Sequence, residues 1–128
     1  MARVLIVDDD TVMRKLLGKT LRPLDLDIIY CSDGSHALDI LRCNSDIAVM
    51  IVDIGLPVLN GRELIQIMSR DGRLATIPVL IMSGMVGAGE VADLVDDGVV
   101  RFIPKPFHIT TVQEEVAHCL RRSASLRS

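Results

Sequence analysis

The sequence predicts an α/β fold, a doubly wound five-stranded parallel sheet covered by helices on both faces, and three observations carry that reading. Apolar runs at residues 4–7, 28–30, 47–52, 79–82 and 99–103 are short and continuous rather than alternating, as strands buried on both faces should be. Segments with helical spacing separate them, giving five βα units. Two of the runs end in acid, at Asp8-Asp9-Asp10 and at Asp53. Strand ends that both finish in carboxylates can meet only if the strands are parallel and adjacent.

The elements follow in order. Residues 4–7 form the first strand. Val12, Leu16, Leu17 and Leu21 then repeat at three- and four-residue steps behind an Asp10 or Thr11 cap, and Pro23 stops that helix. After the strand at 28–30, Asp33-Gly34 opens a helix that buries Ala37, Leu38 and Leu41. The third strand runs to Val52, and Asp53 begins a loop that ends at Asn60-Gly61. Leu64, Ile65 and Met68 mark the third helix. Val91, Leu94 and Val95, ahead of Asp97-Gly98, mark a short fourth helix that glycines at its start should weaken. Val112, Val116 and Leu120 form the last stripe, entered through Thr110 or Thr111. Crossovers between parallel strands of one sheet are almost always right-handed.

Composition bounds the function. A chain of 128 residues is one domain with one core, and with two Phe, one Tyr and no Trp that core must be aliphatic. The formal net charge of −3 offers no electrostatic basis for direct nucleic acid binding. No apolar run approaches the ~20 residues of a membrane span. Cys31, Cys43 and Cys119 are odd in number and lack ligand spacing, so they read as reduced thiols packed like small hydrophobes, which points to the cytoplasm. His36, His108 and His118 fall on separate elements without metal-ligand spacing. The glycines between Gly84 and Gly89 follow the fourth strand and lack the order of a phosphate-binding loop.

The chemistry gathers at the strand ends: acid after strands one and three, Ser83-Gly84 after strand four, and Lys105-Pro106 after strand five. Neighbouring carboxylates repel unless a cation joins them, and Mg²⁺ suits few carboxylates, water and a phosphate oxygen. A carboxylate can attack phosphorus only where the charge of both anions is offset, and metal and ammonium supply that offset.

This ordered set resembles the receiver domain of two-component response regulators, of the chemotaxis-regulator type. The likeness rests on the acidic pair, on Asp53 with Pro57 and Asn60-Gly61 behind it, on Ser83, and on Lys105-Pro106-Phe107, and it spans nearly the whole chain. It implies the flavodoxin-like (βα)5 fold with strand order 2-1-3-4-5, in which strands one and three are neighbours and ligands bind beyond the carboxyl ends of the strands. It also implies a signalling switch rather than an enzyme. Asp53 would accept a phosphoryl group from a sensor histidine kinase or phosphotransfer protein. Asp8, Asp9 and Asp53 would hold Mg²⁺ with the Gly55 backbone carbonyl, Asp8 acting through water. Lys105, the Ser83 hydroxyl and the Gly84 amide would contact the phosphoryl oxygens, and Phe102 would be the switch aromatic. The Lys105-Pro106 bond is expected to be cis. The output face would be the fourth helix, fifth strand and fifth helix, offered to a downstream target or a phosphorylation-dependent dimer partner.

Two departures concern that output face: Gly84 stands where the family usually has Ala, and Val99-Val100-Arg101 replaces a more acidic stretch. The rival enzyme, a phosphohydrolase of the haloacid dehalogenase type, needs a second Asp two residues after the nucleophile, where this chain has Gly55. The rival pseudo-receiver would lack site residues that are all present here. The expected organisation is a receiver at residues 1–122 with a flexible tail or linker stub at 123–128, in a single-domain regulator.

Overall fold

The computed structural model describes residues 2–84, 88–94 and 100–127. Five parallel strands, β1 (Arg3–Val7), β2 (Asp27–Cys31), β3 (Ile47–Asp53), β4 (Val79–Ser83) and β5 (Val100–Pro104), lie in the order β2-β1-β3-β4-β5. Helices α1 (Thr11–Leu21), α2 (Gly34–Cys43), α3 (Gly61–Ser69) and α4 (Ile109–Arg127) cover them. The expected fold class and strand order are those observed.

Side chains alternate between two cores, one on each face of the sheet. Leu5, Val7, Met50, Val52 and Ile81 point to the side of α2 and α3, and Val4, Ile6, Ile51, Leu80 and Met82 point to the side of α1 and α4. Both faces of each central strand are therefore dry, which is why the apolar runs are continuous. Ala48 and Val49 break the alternation by facing the same core, where the β1·β3 register shifts between Arg3 and Val4.

Three of the α-helices have a local reason to start. The Asp10 carboxylate accepts from Val12 N–H at α1, and that of Asp33 accepts from His36 N–H at α2. Asn60 and Glu63 form a capping box at α3, each side chain accepting from the other's backbone N–H. Pro23 sits in a 3-10 turn, Arg22–Leu24, that ends the first helical segment.

Three sequence expectations need correction. The buried face of α1 is Leu17, Thr20 and Leu21 with Met13 beside them; Val12 is 72% exposed and Leu16 41% exposed. Apolar residues at 12, 13, 16 and 17 fit two adjacent stripes, and tertiary packing chose the other one. The fourth crossover, among the described residues, holds a 3-10 turn, Ala88–Val91, continued by a Leu94 N–H to Val91 O bond, instead of an α-helix; Val91 and Leu94 are buried as expected, while Val95 and Val99 lie outside the described residues. The last helix continues to Arg127 and buries Ser123. Cys31 and Cys119 are buried, but Cys43, at the end of α2, is exposed.

Candidate functional site

Register brings the chemistry together. Val7 pairs with Val52, so the next residues, Asp8 and Asp53, emerge side by side at the carboxyl ends of β1 and β3. Ser83 pairs with Pro104, and Lys105 N–H donates to Ser83 O at 3.0 Å, which brings the lysine back over the same edge. The Lys105-Pro106 peptide bond is cis, as expected.

Lys105 reaches across the crevice. Its Nζ lies 3.1 Å from Asp8 Oδ2 and 3.4 Å from Asp53 Oδ2, and all three side chains are mostly buried. Burial pushes the Asp8 carboxyl above the usual range, and the hydrogen bonds from Asp10 N–H and Lys105 offset only part of that cost. Burial also works against the Lys105 ammonium, but the charges of Asp53 and Asp8 outweigh it and hold its pKa above the ordinary lysine value. The ammonium is therefore a fixed positive charge between two carboxylates.

Asp8, Asp9 and Asp53 each offer an oxygen within 4.8 Å of the others. Hard oxygen donors in a half-open cluster, with Asp9 exposed, fit a divalent cation that keeps several waters, the preference of Mg²⁺. The Gly55 N–H donates to Asp53 Oδ1 at 3.2 Å, and a Cβ at Gly55 would meet nothing nearer than that same oxygen at 3.9 Å. The approach to Asp53 is open on that side.

The remaining expected residues fall around this centre. Ser83 is buried at the end of β4, and Gly84 beside it is exposed, with room for a Cβ at 3.5 Å from Lys105 Cβ; Ala would fit there. Phe102 lies half-buried against the core on the α2 and α3 side of the sheet, where both a switch aromatic and a core Phe would sit. Met85, two residues beyond Ser83, lies outside the described residues.

The β3–α3 loop is held by close contact. A Cβ on Gly61 would come within 2.7 Å of Asp53 O and 2.8 Å of Ile54 Cα, and Gly61 N–H donates to Ile54 O. Glycine is thus what lets α3 start against the strand end that carries Asp53. Val58, 84% exposed in the same loop, has φ of 68°, a left-handed conformation that costs a β-branched residue about 1–2 kcal/mol.

Sequence reasoning missed Arg14. Its guanidinium donates to Asp8 O at 2.6 Å and to Thr11 Oγ1 at 3.2 Å. The available signal was a cation near the start of a helix whose first turn holds no acid, a place the helix dipole disfavours.

Comparison with known proteins agrees with this geometry. The family model described as the response regulator receiver domain matches residues 4–117. The chain belongs to that family. It is 31% identical over 115 residues to chemotaxis protein CheY1 of Helicobacter pylori, covering 89% of this chain and 93% of that protein. It is 30% identical over 119 residues to the chemotaxis protein CheY homolog of Campylobacter jejuni, covering 92% of each. Among solved structures, a response regulator receiver domain protein from Clostridium thermocellum superposes with a TM-score of 0.87 at 19% identity, covering 98% of this chain and 99% of that one, a likeness of fold. No helix among the described residues is long and apolar enough to cross a membrane.

Proposed function

We propose that this chain is a phosphorylation-controlled switch of a two-component phosphorelay, in which Asp53 accepts a phosphoryl group from the phosphohistidine of a sensor kinase or phosphotransfer protein. The observation that carries the proposal is the Lys105 ammonium fixed between Asp8 and Asp53, with Asp9 beside them. An Asp53 oxygen forms its bond to phosphorus as the donor's N–P bond breaks, and Asp53 becomes an aspartyl phosphate. Asp9, Asp53 and the Gly55 carbonyl, with Asp8 acting through water, would hold Mg²⁺, which would supply charge to offset the phosphoryl oxygens. Lys105 neutralises another oxygen, and the Ser83 hydroxyl and Gly84 amide take a third. The protein promotes only its own phosphorylation and dephosphorylation.

The aspartyl phosphate shifts a pre-existing equilibrium rather than creating a new shape. Ser83 moves toward the phosphoryl group, Phe102 turns inward, and the surface made by the fourth crossover, β5 and α4 changes. That surface is offered in the cytoplasm to a target protein or to a second phosphorylated copy. Incubation with acetyl phosphate and Mg²⁺, followed by intact mass measurement, tests the reading. One phosphoryl group should be gained, and it should be absent when the metal is chelated. A protein that gains none in either condition is a constitutive binding module, and the proposal fails.

A further inference from the structure

Asp9 is the acid of the cluster whose side chain has no hydrogen bond or ion pair of its own among the described residues. The backbone of Asp8 and Asp10 on either side of it sets its direction and is held by hydrogen bonds, all but one of a familiar kind. Asp8 N–H donates to Cys31 O at 3.1 Å, which extends the β1·β2 ladder by one step. Asp8 Oδ1 accepts from Asp10 N–H at 2.9 Å, and Asp10 caps α1.

The exception is the Asp8 carbonyl. The N–H and C=O of one strand residue point to the same side, so this oxygen faces β2, which has ended at Cys31. Its partner is Arg14 Nη1 at 2.6 Å, and Nη2 of the same guanidinium grips Thr11 Oγ1 at the first residue of α1. One rigid fork therefore joins the last hydrogen-bonding group of the strand to the first turn of the helix, across the loop that carries Asp9.

We infer that Arg14 is a positioning residue for the cation site: it replaces the missing strand partner of Asp8 and thereby fixes the direction of Asp9. The inference rests on the metal-binding reading above. It has an unusual sign. Arg14 brings a positive charge to an acidic site, so charge alone would make its removal tighten Mg²⁺ binding, whereas loss of positioning would weaken it. Groups behind the metal ligands that orient them commonly matter by tenfold or more.

The test is a Mg²⁺ titration of the full chain followed by backbone amide shifts, for wild type, Arg14→Met, Arg14→Lys and Thr11→Val, with urea midpoints measured alongside. Arg14→Met is expected to bind roughly tenfold more weakly. Thr11→Val, which removes one tine of the fork and keeps the charge, should fall between it and wild type, and it keeps the test decisive if Arg14→Met does not fold. Arg14→Lys should recover part of the loss through a single donor to Asp8 O. Tighter binding in Arg14→Met would make Arg14 a mere repelling charge, and unchanged affinity with lowered stability would make it a structural staple; either overturns the inference. Absence of Mg²⁺ binding in wild type would instead refute the metal-site reading.

Discussion

Lys105 Nζ sits 3.1 Å from Asp8 Oδ2 and 3.4 Å from Asp53 Oδ2, so one ammonium bridges the two carboxylates of the acidic crevice. The ammonium offsets the same two carboxylates that a divalent cation would. It must share Asp8 and Asp53 with any incoming metal.

Removing it should therefore help the metal and hurt the chemistry. Lys105→Met is expected to raise Mg²⁺ affinity by about 1 kcal/mol, roughly fivefold, because a nearby repelling charge is gone. Phosphorylation by acetyl phosphate should slow by at least ~10-fold, since a fixed charge on the transferred group is lost. Titration and initial rates on the same variant measure both.

Asp8 gives a pH dependence whose sign follows from its burial. Its folded pKa is raised, mainly by desolvation, so the native protein binds more protons than the unfolded chain between about pH 4 and the folded value. Asp8 therefore favours the metal-free fold at low pH, and this contribution is lost as pH rises through its folded pKa. Asp8→Asn should be more stable than wild type near neutrality, by ~1 kcal/mol, and the gap should close on acidification toward pH 4. Urea midpoints across that range, with chelator present, provide the check.

Two glycines, Gly55 near the start of the β3–α3 loop and Gly61 at its end, should respond differently. Gly61→Ala forces a Cβ against the Asp53 carbonyl and should destabilise by about 1–3 kcal/mol, with Asp53 displaced. Gly55→Ala meets open space and should leave stability within ~0.5 kcal/mol. Gly55 also cannot hold an attacking water, so Gly55→Asn should shorten the phosphoryl lifetime. Denaturation curves and phosphate release separate these effects.

Val58 carries strain that a better-suited residue would relieve. Following Pro57 with positive φ, it occupies a place that turns of this kind give to Gly or Asn. Val58→Asn should raise stability by about 1 kcal/mol without moving the site. Thermal unfolding tests this directly.

The sheet and the centre of the site were legible because the relevant residues are chemically distinctive and stand at the ends of uninterrupted apolar runs. Asp53 closes one run, Asp8 follows another, and parallel pairing leaves them adjacent. The phase of α1 was not legible, because residues 12/16 and 13/17 are both apolar and only packing against Val112 and Val116 chooses between them. The role of Arg14 was missed for a different reason: its partner is a backbone oxygen, which every residue owns. In the fourth crossover, helical spacing at Val91 and Leu94 marked burial correctly but not the 3-10 geometry, since both patterns bury a residue every third step.

The central claim is that the Asp53 carboxylate itself becomes the acyl phosphate. Borohydride reduces an aspartyl phosphate to homoserine, so reductive trapping after acetyl phosphate and Mg²⁺, followed by peptide mapping, locates the modified side chain. The account predicts homoserine at position 53 and no modification in Asp53→Asn. Homoserine at Asp8 or Asp9 in the wild type, or a phosphoryl group retained by Asp53→Asn, would contradict it.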